Sequence, residues 1–186
     1  TINPAKIEGG AANNVVPDLA ILRFNIRPKS THAMERFDGE LAPILAAIEA
    51  EIPPGRFLDV GCSYGNSLIV ARDRGWQVTG IELSQPAAEY GIKEHDLDIR
   101  TVHLHEAGLE PKSFDAILMH HTLEHLPNPD VVMQQVHYLL RPGGIHFQAL
   151  PNYGAMKRRL LGSHWSYGIT PDHLAHFTPR TLRRML

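Results

Sequence analysis

From Arg56 to Leu150 the chain alternates between short continuous apolar runs and helix-length stretches, and this rhythm restricts its fold more than any other feature. Phe57-Leu58-Asp59-Val60 and residues 77–81, 99–104, 114–119 and 145–150 read as strands. Residues 66–74, 86–94 and 131–140 read as the helices between them. Gly75 closes the first helix, and Arg141-Pro142-Gly143-Gly144 stops the last. Strands that are apolar without interruption are buried on both faces, as in a parallel sheet. Right-handed crossovers then place helices on both sides. The expected fold class is α/β.

The first fifty residues follow a different pattern. Residues 1–8 and 19–26 alternate like strands around a Gly9-Gly10-Ala11-Ala12 break. Thr31 has the chemistry of an N-cap. Met34, Phe37, Leu41, Ile44, Leu45 and Ile48 then recur at three- and four-residue spacing, giving a helix to about residue 51. Pro53-Pro54-Gly55 ends it. The expected division is a β-β-α segment over 1–51 and an α/β domain over 52–186.

Composition excludes several classes. The chain has 186 residues and one cysteine, Cys62, so neither an internal disulfide nor a multi-cysteine zinc cluster is available. Its longest stretch free of Asp, Glu, Lys and Arg, residues 142–156, is too short to span a bilayer. No charged-then-apolar leader opens it, and the expected location is cytoplasmic. The net charge of -2 gives no general affinity for nucleic acid. Lys157, Arg158, Arg159, Arg180, Arg183 and Arg184 face a single acid, Asp172, in the last thirty residues. Such a segment suits an anionic acceptor, or simply a solvated helix face.

In an open parallel sheet, ligands bind at the carboxyl ends of the strands. Asp59-Val60-Gly61-Cys62-Ser63-Tyr64-Gly65 stands at the end of the first strand of the α/β region, and Glu82 at the end of the second. Two glycines permit a tight turn and close approach of a ligand to the backbone. A carboxylate on the neighbouring strand can accept both hydroxyls of a ribose. This is a nucleoside site. A dinucleotide fingerprint fits it poorly, because its third and sixth positions would be Ser63 and Asn66. Gly61-x-Ser63-x-Gly65 also spells the nucleophile elbow of a serine hydrolase, although an elbow normally follows several strands.

Asp59-x-Gly61-x-x-x-Gly65, Glu82, Phe114-Asp115 and Leu140-Arg141-Pro142-Gly143-Gly144 resemble, in order, the motifs of class I S-adenosylmethionine-dependent methyltransferases. His121-Thr122-Leu123-Glu124-His125-Leu126-Pro127-Asn128-Pro129, Pro151-Asn152 and His173-Leu174-Ala175-His176-Phe177-Thr178-Pro179 are similar to the branch acting on small molecules, lipids and sugars. The resemblance covers about residues 52–186 and implies a Rossmann-like sheet, with the last two strands of that fold not in view. It implies S-adenosyl-L-methionine as cofactor. Asp59 and the backbone of Gly61, Cys62, Ser63 and Gly65 would hold its methionine end. Glu82 would take the ribose, Leu83 the adenine face, and His103 and Leu104 the adenine edge. His120 would face the sulfonium.

Methyl transfer from a sulfonium is positional catalysis, with a base where the acceptor must lose a proton. His121 and His125, four apart, are the candidate bases, with Glu124 or another acid as orienting group. The alternative is that His121 packs under the cofactor and His125 caps the turn. Two histidines four apart also suit zinc, but the metalloprotease order is His-Glu-x-x-His, and no metal is expected. Asp115 reads as structural. Trp165 and Tyr167 would line an acceptor pocket or an ordinary loop.

Ile7-Glu8-Gly9-Gly10-Ala11-Ala12-Asn13-Asn14 and Leu22-Arg23-Phe24-Asn25-Ile26-Arg27-Pro28 resemble the lid, or dimerisation, domain of zinc-dependent amidohydrolases. That resemblance implies substrate contacts at Asn14 and Arg27 and allows a homodimer. None of that family's zinc-ligand segments is present. The N-terminal strands, or a second chain, are expected to cover the edge of the sheet beside its last strand. A catalytically incomplete fusion acting as a binding or dimerisation module is the competing reading.

Overall fold

The computed structural model describes the backbone at residues 3–4, 20–22, 24–25 and 33–40, and complete residues at 41–156 and 172–185. Its strands are β1 (Asn3–Pro4), β2 (Ala20–Leu22), β3 (Phe24–Asn25), β4 (Arg56–Val60), β5 (Gln77–Ile81), β6 (Ile99–Arg100), β7 (Phe114–His120) and β8 (Leu140–Ala149). The helices are α1 (Ala33–Glu49), α2 (Asn66–Asp73), α3 (Gln85–His95), α4 (Pro129–Leu139) and α5 (Pro179–Arg183). Six strands form one parallel sheet in the order β2-β8-β7-β4-β5-β6. The expected α/β architecture is the observed one.

The period of two along each strand sorts its side chains between two cores. Phe57, Ala116, Leu118, Ile145 and Phe147 face α1 and α2, against Leu41, Ile44, Leu45, Ile48, Leu68 and Trp76. Leu58, Val60, Ile117 and Met119 face α4 and α5, against Met133, Val136, Leu139, Phe177 and Leu182. Phe114 shares that second face because a register irregularity separates it from Ala116. Helix α1 contains Pro43, whose missing N–H costs a helix interior about 3 kcal/mol. Leu41, Ile44, Leu45 and Ile48 are each only 1% exposed, and burying each stabilises by roughly 1.5–3 kcal/mol. Packing wins, and α1 lies in the same core as β4.

Asp115 is structural, as expected. Its carboxylate accepts from the Arg56 N–H at 2.5 Å and pairs with the Arg141 guanidinium, joining the entrances of β4, β7 and β8. The Arg-Pro-Gly-Gly stretch departs from its expected role as a clean stop. Strand β8 begins at Leu140, and four residues loop out between the pairs Phe114↔Leu140 and Ala116↔Ile145, with Gly143 at φ +77. The third expected strand is also shorter: β6 ends at Arg100, and Leu104–Glu106 is a 3-10 turn.

Among the described residues, the N-terminal segment holds β1 within the first expected strand range and β2 and β3 within the second. β1 and β3 pair antiparallel with each other, while β2 lies parallel to β8 through Ala20↔Ile145, Ile21↔His146 and Leu22↔Phe147. One N-terminal strand therefore covers the edge of β8. Thr31, Asn14 and Arg27 lie outside the described residues. Hydrogen exchange followed by NMR checks this pairing. The amides of 20–22 are expected to exchange as slowly as those of β6; free exchange there, beside a protected core, would contradict it.

Candidate active site

The register Val60↔Ile81 sets the site, because the residues that follow each member are the glycine turn and Glu82. The Ile81 carbonyl accepts both the Gly61 N–H, at 2.8 Å, and the Cys62 N–H, at 3.1 Å. The chain thus folds back over the end of β5. Gly61 and Gly65 both sit at φ +85, a conformation open to glycine at little cost, and the Gly65 N–H closes the turn on the Cys62 carbonyl at 2.9 Å. Gly65 is also the N-cap of α2, so the positive end of that helix opens onto the crook.

Glu82 turns into this crook. Its Oε2 accepts the Ser63 N–H at 2.8 Å and its Oε1 the Ser84 N–H at 2.7 Å. Each carboxylate oxygen has further lone-pair capacity, so a vicinal diol can still bind to it. Asp59, at the end of β4, is only 2% exposed. Its Oδ2 accepts from the Ser67 hydroxyl, while its Oδ1 has no hydrogen-bond partner among the described residues. Burial pushes the Asp59 carboxyl up to about 7; the Ser67 hydrogen bond opposes that shift and the Glu82 charge adds to it. A buried carboxylate oxygen left open beside a second carboxylate fits a cationic ligand. S-adenosylmethionine, with a ribose diol, an ammonium and a sulfonium, matches this donor and acceptor set.

The other predicted cofactor residues are placed as follows. The Cys62 side chain is buried against Gly80 and Leu68, burial pushes its thiol up, and its backbone N–H donates to the Ile81 carbonyl. Ser63, at φ +50, contributes its N–H to Glu82. Leu83 is 53% exposed next to Glu82, an apolar surface open to an adenine face. His103 is exposed and its ring stacks on His105 at 5.7 Å, whereas Leu104 points into the second core. His120 ends β7. Burial lowers it to about 4, and it is neutral at pH 7.

The turn after β7 corrects one expectation. His121 and His125 do not share a helical face: His121 has φ +54, and only Leu123–His125 forms a 3-10 turn. The two imidazoles have different partners. His121 Nδ1 lies 3.2 Å from Glu124 Oε1. His125 Nδ1 lies 3.0 Å from the Asp172 carbonyl, and its ring is 4.8 Å from that of His173. Glu124 is 1% exposed, and its Oε2 has no partner among the described residues. Its backbone carbonyl accepts from Leu174 at 2.8 Å and Ala175 at 3.1 Å, fastening residues 172–175 to the turn.

Sequence reasoning missed Ser67 and Ser84, and gave Thr122 and His173 no role beyond their motifs. Serines and a threonine near a loop carry no signal of their own, and His173 reaches His125 only through the fold. Glu124, His125 and His173 bring ligand-type atoms within 4.8 Å of one another, a grouping that local spacing does not reveal. Of the basic residues, Arg180 and Arg183 lie on α5; Lys157, Arg158 and Arg159, with Trp165 and Tyr167, lie outside the described residues. No helix among the described residues is long and apolar enough to cross a membrane.

Comparison with known proteins agrees with this geometry. Residues 1–53 match the family described as a peptidase dimerisation domain, and residues 32–186 the family described as a methyltransferase domain. Ubiquinone biosynthesis O-methyltransferase of Chromobacterium violaceum is 31% identical over 149 residues, 73% of this chain and 64% of that protein. The protein of the same name from Azoarcus sp. is 28% identical over 150 residues, 69% of this chain and 60% of its own. The chain thus spans somewhat under two thirds of the length of these relatives. An Archaeoglobus fulgidus SAM-dependent methyltransferase shares the fold with a TM-score of 0.67 at 18% identity, over 82% of this chain and 66% of that one. A Thermotoga maritima structure does so with a TM-score of 0.61 at 18% identity, over 78% and 68%. With its match over residues 32–186 and its glycine crook at the head of a parallel sheet, the chain belongs to the class I S-adenosylmethionine-dependent methyltransferase family.

Proposed function

We propose that this chain binds S-adenosyl-L-methionine in the Gly61–Gly65 crook and methylates a small-molecule acceptor. The observation that carries the reading is Glu82, whose carboxylate stands over the crook rather than away from it. Glu82 receives the ribose hydroxyls. Asp59 receives the cationic methionine end at the oxygen left open in its buried pocket. Bound there, S-adenosylmethionine supplies an electrophilic methyl group on a good leaving group.

The residues on the acceptor side align the nucleophile and take its proton. His121, 39% exposed and held through Nδ1 by Glu124, presents its other ring nitrogen as the base. Neutral His120 beside it adds no competing positive charge. His125, fixed to the 172–175 segment, positions that wall rather than the proton. The relatives' names include ubiquinone biosynthesis, which supports an O-methyl acceptor; lipid and sugar acceptors, some of them anionic, belong to the same proposal. Cytoplasmic placement is part of this reading, and the match over residues 1–53 supports homodimer formation through the N-terminal segment. That same match favours a second reading, a fusion that binds cofactor and pairs with a partner without turnover.

Calorimetry with S-adenosylhomocysteine tests the cofactor site. Glu82→Ala is expected to weaken binding at least about tenfold, the loss of roughly 1.4 kcal/mol of charge-assisted hydrogen bonding. Asp59 sets the pH dependence. Its folded carboxyl sits near 7, so below that pH cation binding must expel a proton. Affinity is expected to fall up to about tenfold per pH unit below 7 and to level off above it; Asp59→Asn, with no proton to lose, is expected to bind weakly at every pH. An affinity independent of pH in the wild type would remove Asp59 from the site.

Turnover separates the two readings. Over a panel of O-methyl acceptors, His121→Ala is expected to lower kcat by about 10²–10⁴-fold with S-adenosylhomocysteine affinity preserved. Full activity in that variant would assign the base elsewhere, and no turnover in the wild type would favour the fusion.

A further inference from the structure

We propose that Thr122 is a positioning residue that carries cofactor occupancy of the crook to the acceptor-side wall. This rests on the reading that the crook takes S-adenosylmethionine. A β-carbon built on Gly61 would lie 2.4 Å from Thr122 Oγ1 and 2.6 Å from its Cγ2. The threonine side chain therefore occupies the space that any other residue at 61 would fill. The glycine serves two needs at once, a positive φ and a seat for Thr122.

Thr122 belongs to the turn that holds the acceptor side together. Its hydroxyl donates to the His120 carbonyl at 3.3 Å, and its own carbonyl accepts the His125 N–H at 3.0 Å. His121 on one side is held at φ +54, a costly conformation for a residue with a β-carbon, and its N–H is pinned to the Ala149 carbonyl at 2.9 Å. Glu124 on the other side clasps Leu174 and Ala175. A rigid β-branched wedge thus joins the crook to a turn already strained and fastened at both ends. Movement of Gly61 by a bound ligand displaces Thr122, and with it the His121–Glu124 pair and the 172–175 segment. Filling the crook is how the acceptor wall tightens.

Amide exchange measured by mass spectrometry over residues 172–178, with and without saturating S-adenosylhomocysteine, tests this in the intact chain. Calorimetry on the same samples reports binding. In the wild type, exchange is expected to slow by about threefold or more on ligand addition. Thr122→Val keeps the wedge and keeps the response. Thr122→Ala is expected to retain affinity within about threefold yet lose at least half of the slowing. Thr122→Ser, which keeps Oγ1 and removes only the methyl group, decides the matter if the alanine variant fails to fold, and is expected to lose part of the response. An undiminished response in Thr122→Ala or Thr122→Ser, or no slowing in a wild type that binds, would overturn the proposal. A wild type that fails to bind would overturn the cofactor reading instead, and this proposal with it.

Discussion

A single pairing, Val60 against Ile81, holds the functional end of this molecule in place. It brings the first turn after β4 level with the first residue after β5, and the Ile81 carbonyl then binds two consecutive amides of that turn. Glu82 follows without a break and accepts from Ser63 across the gap. A slip of one residue would send Glu82 to the opposite face of the sheet and leave the crook without its acid. The buried apolar side chains on both faces make such a slip costly, so the core and the site specify the same register.

The two carboxylates of the site differ by environment. Glu82 is partly exposed and held by two backbone N–H groups. Asp59 is enclosed, with one oxygen bonded to Ser67 and one open. An open oxygen in a buried carboxyl costs about 1–3 kcal/mol in the empty protein. A cationic ligand placed at Oδ1 would recover that cost. Beyond the crook, His121 holds a positive φ beside the buried Glu124, and the Thr122 side chain lies against Gly61.

Much of this was legible in the sequence because it depends on local chemistry. Continuous apolar runs marked the buried strands, and Gly61, Gly65 and Glu82 marked the crook. The misreadings came where tertiary structure overrides local pattern. His121 and His125 have helical spacing, but the Ala149 carbonyl takes the His121 N–H and forces the left-handed conformation that separates them. The Arg-Pro-Gly-Gly stretch reads as a stop, yet Leu140 pairs with Phe114 and turns it into an excursion within β8. His173, Ser84 and Thr122 acquire meaning only from neighbours distant in sequence or from the shape of the turn they occupy. The covering of the edge beside the last strand is expected of the N-terminal segment and is met by β2 on β8; which residues do so is not marked by local pattern.

The most direct measurement is the crystal structure of the complex with S-adenosylhomocysteine. Both ribose hydroxyls are expected within hydrogen-bond reach of the Glu82 carboxylate, about 2.5–3.0 Å, and the α-amino group toward Asp59 Oδ1. A nucleoside bound elsewhere, or seated in the crook with its ribose away from Glu82, would contradict it.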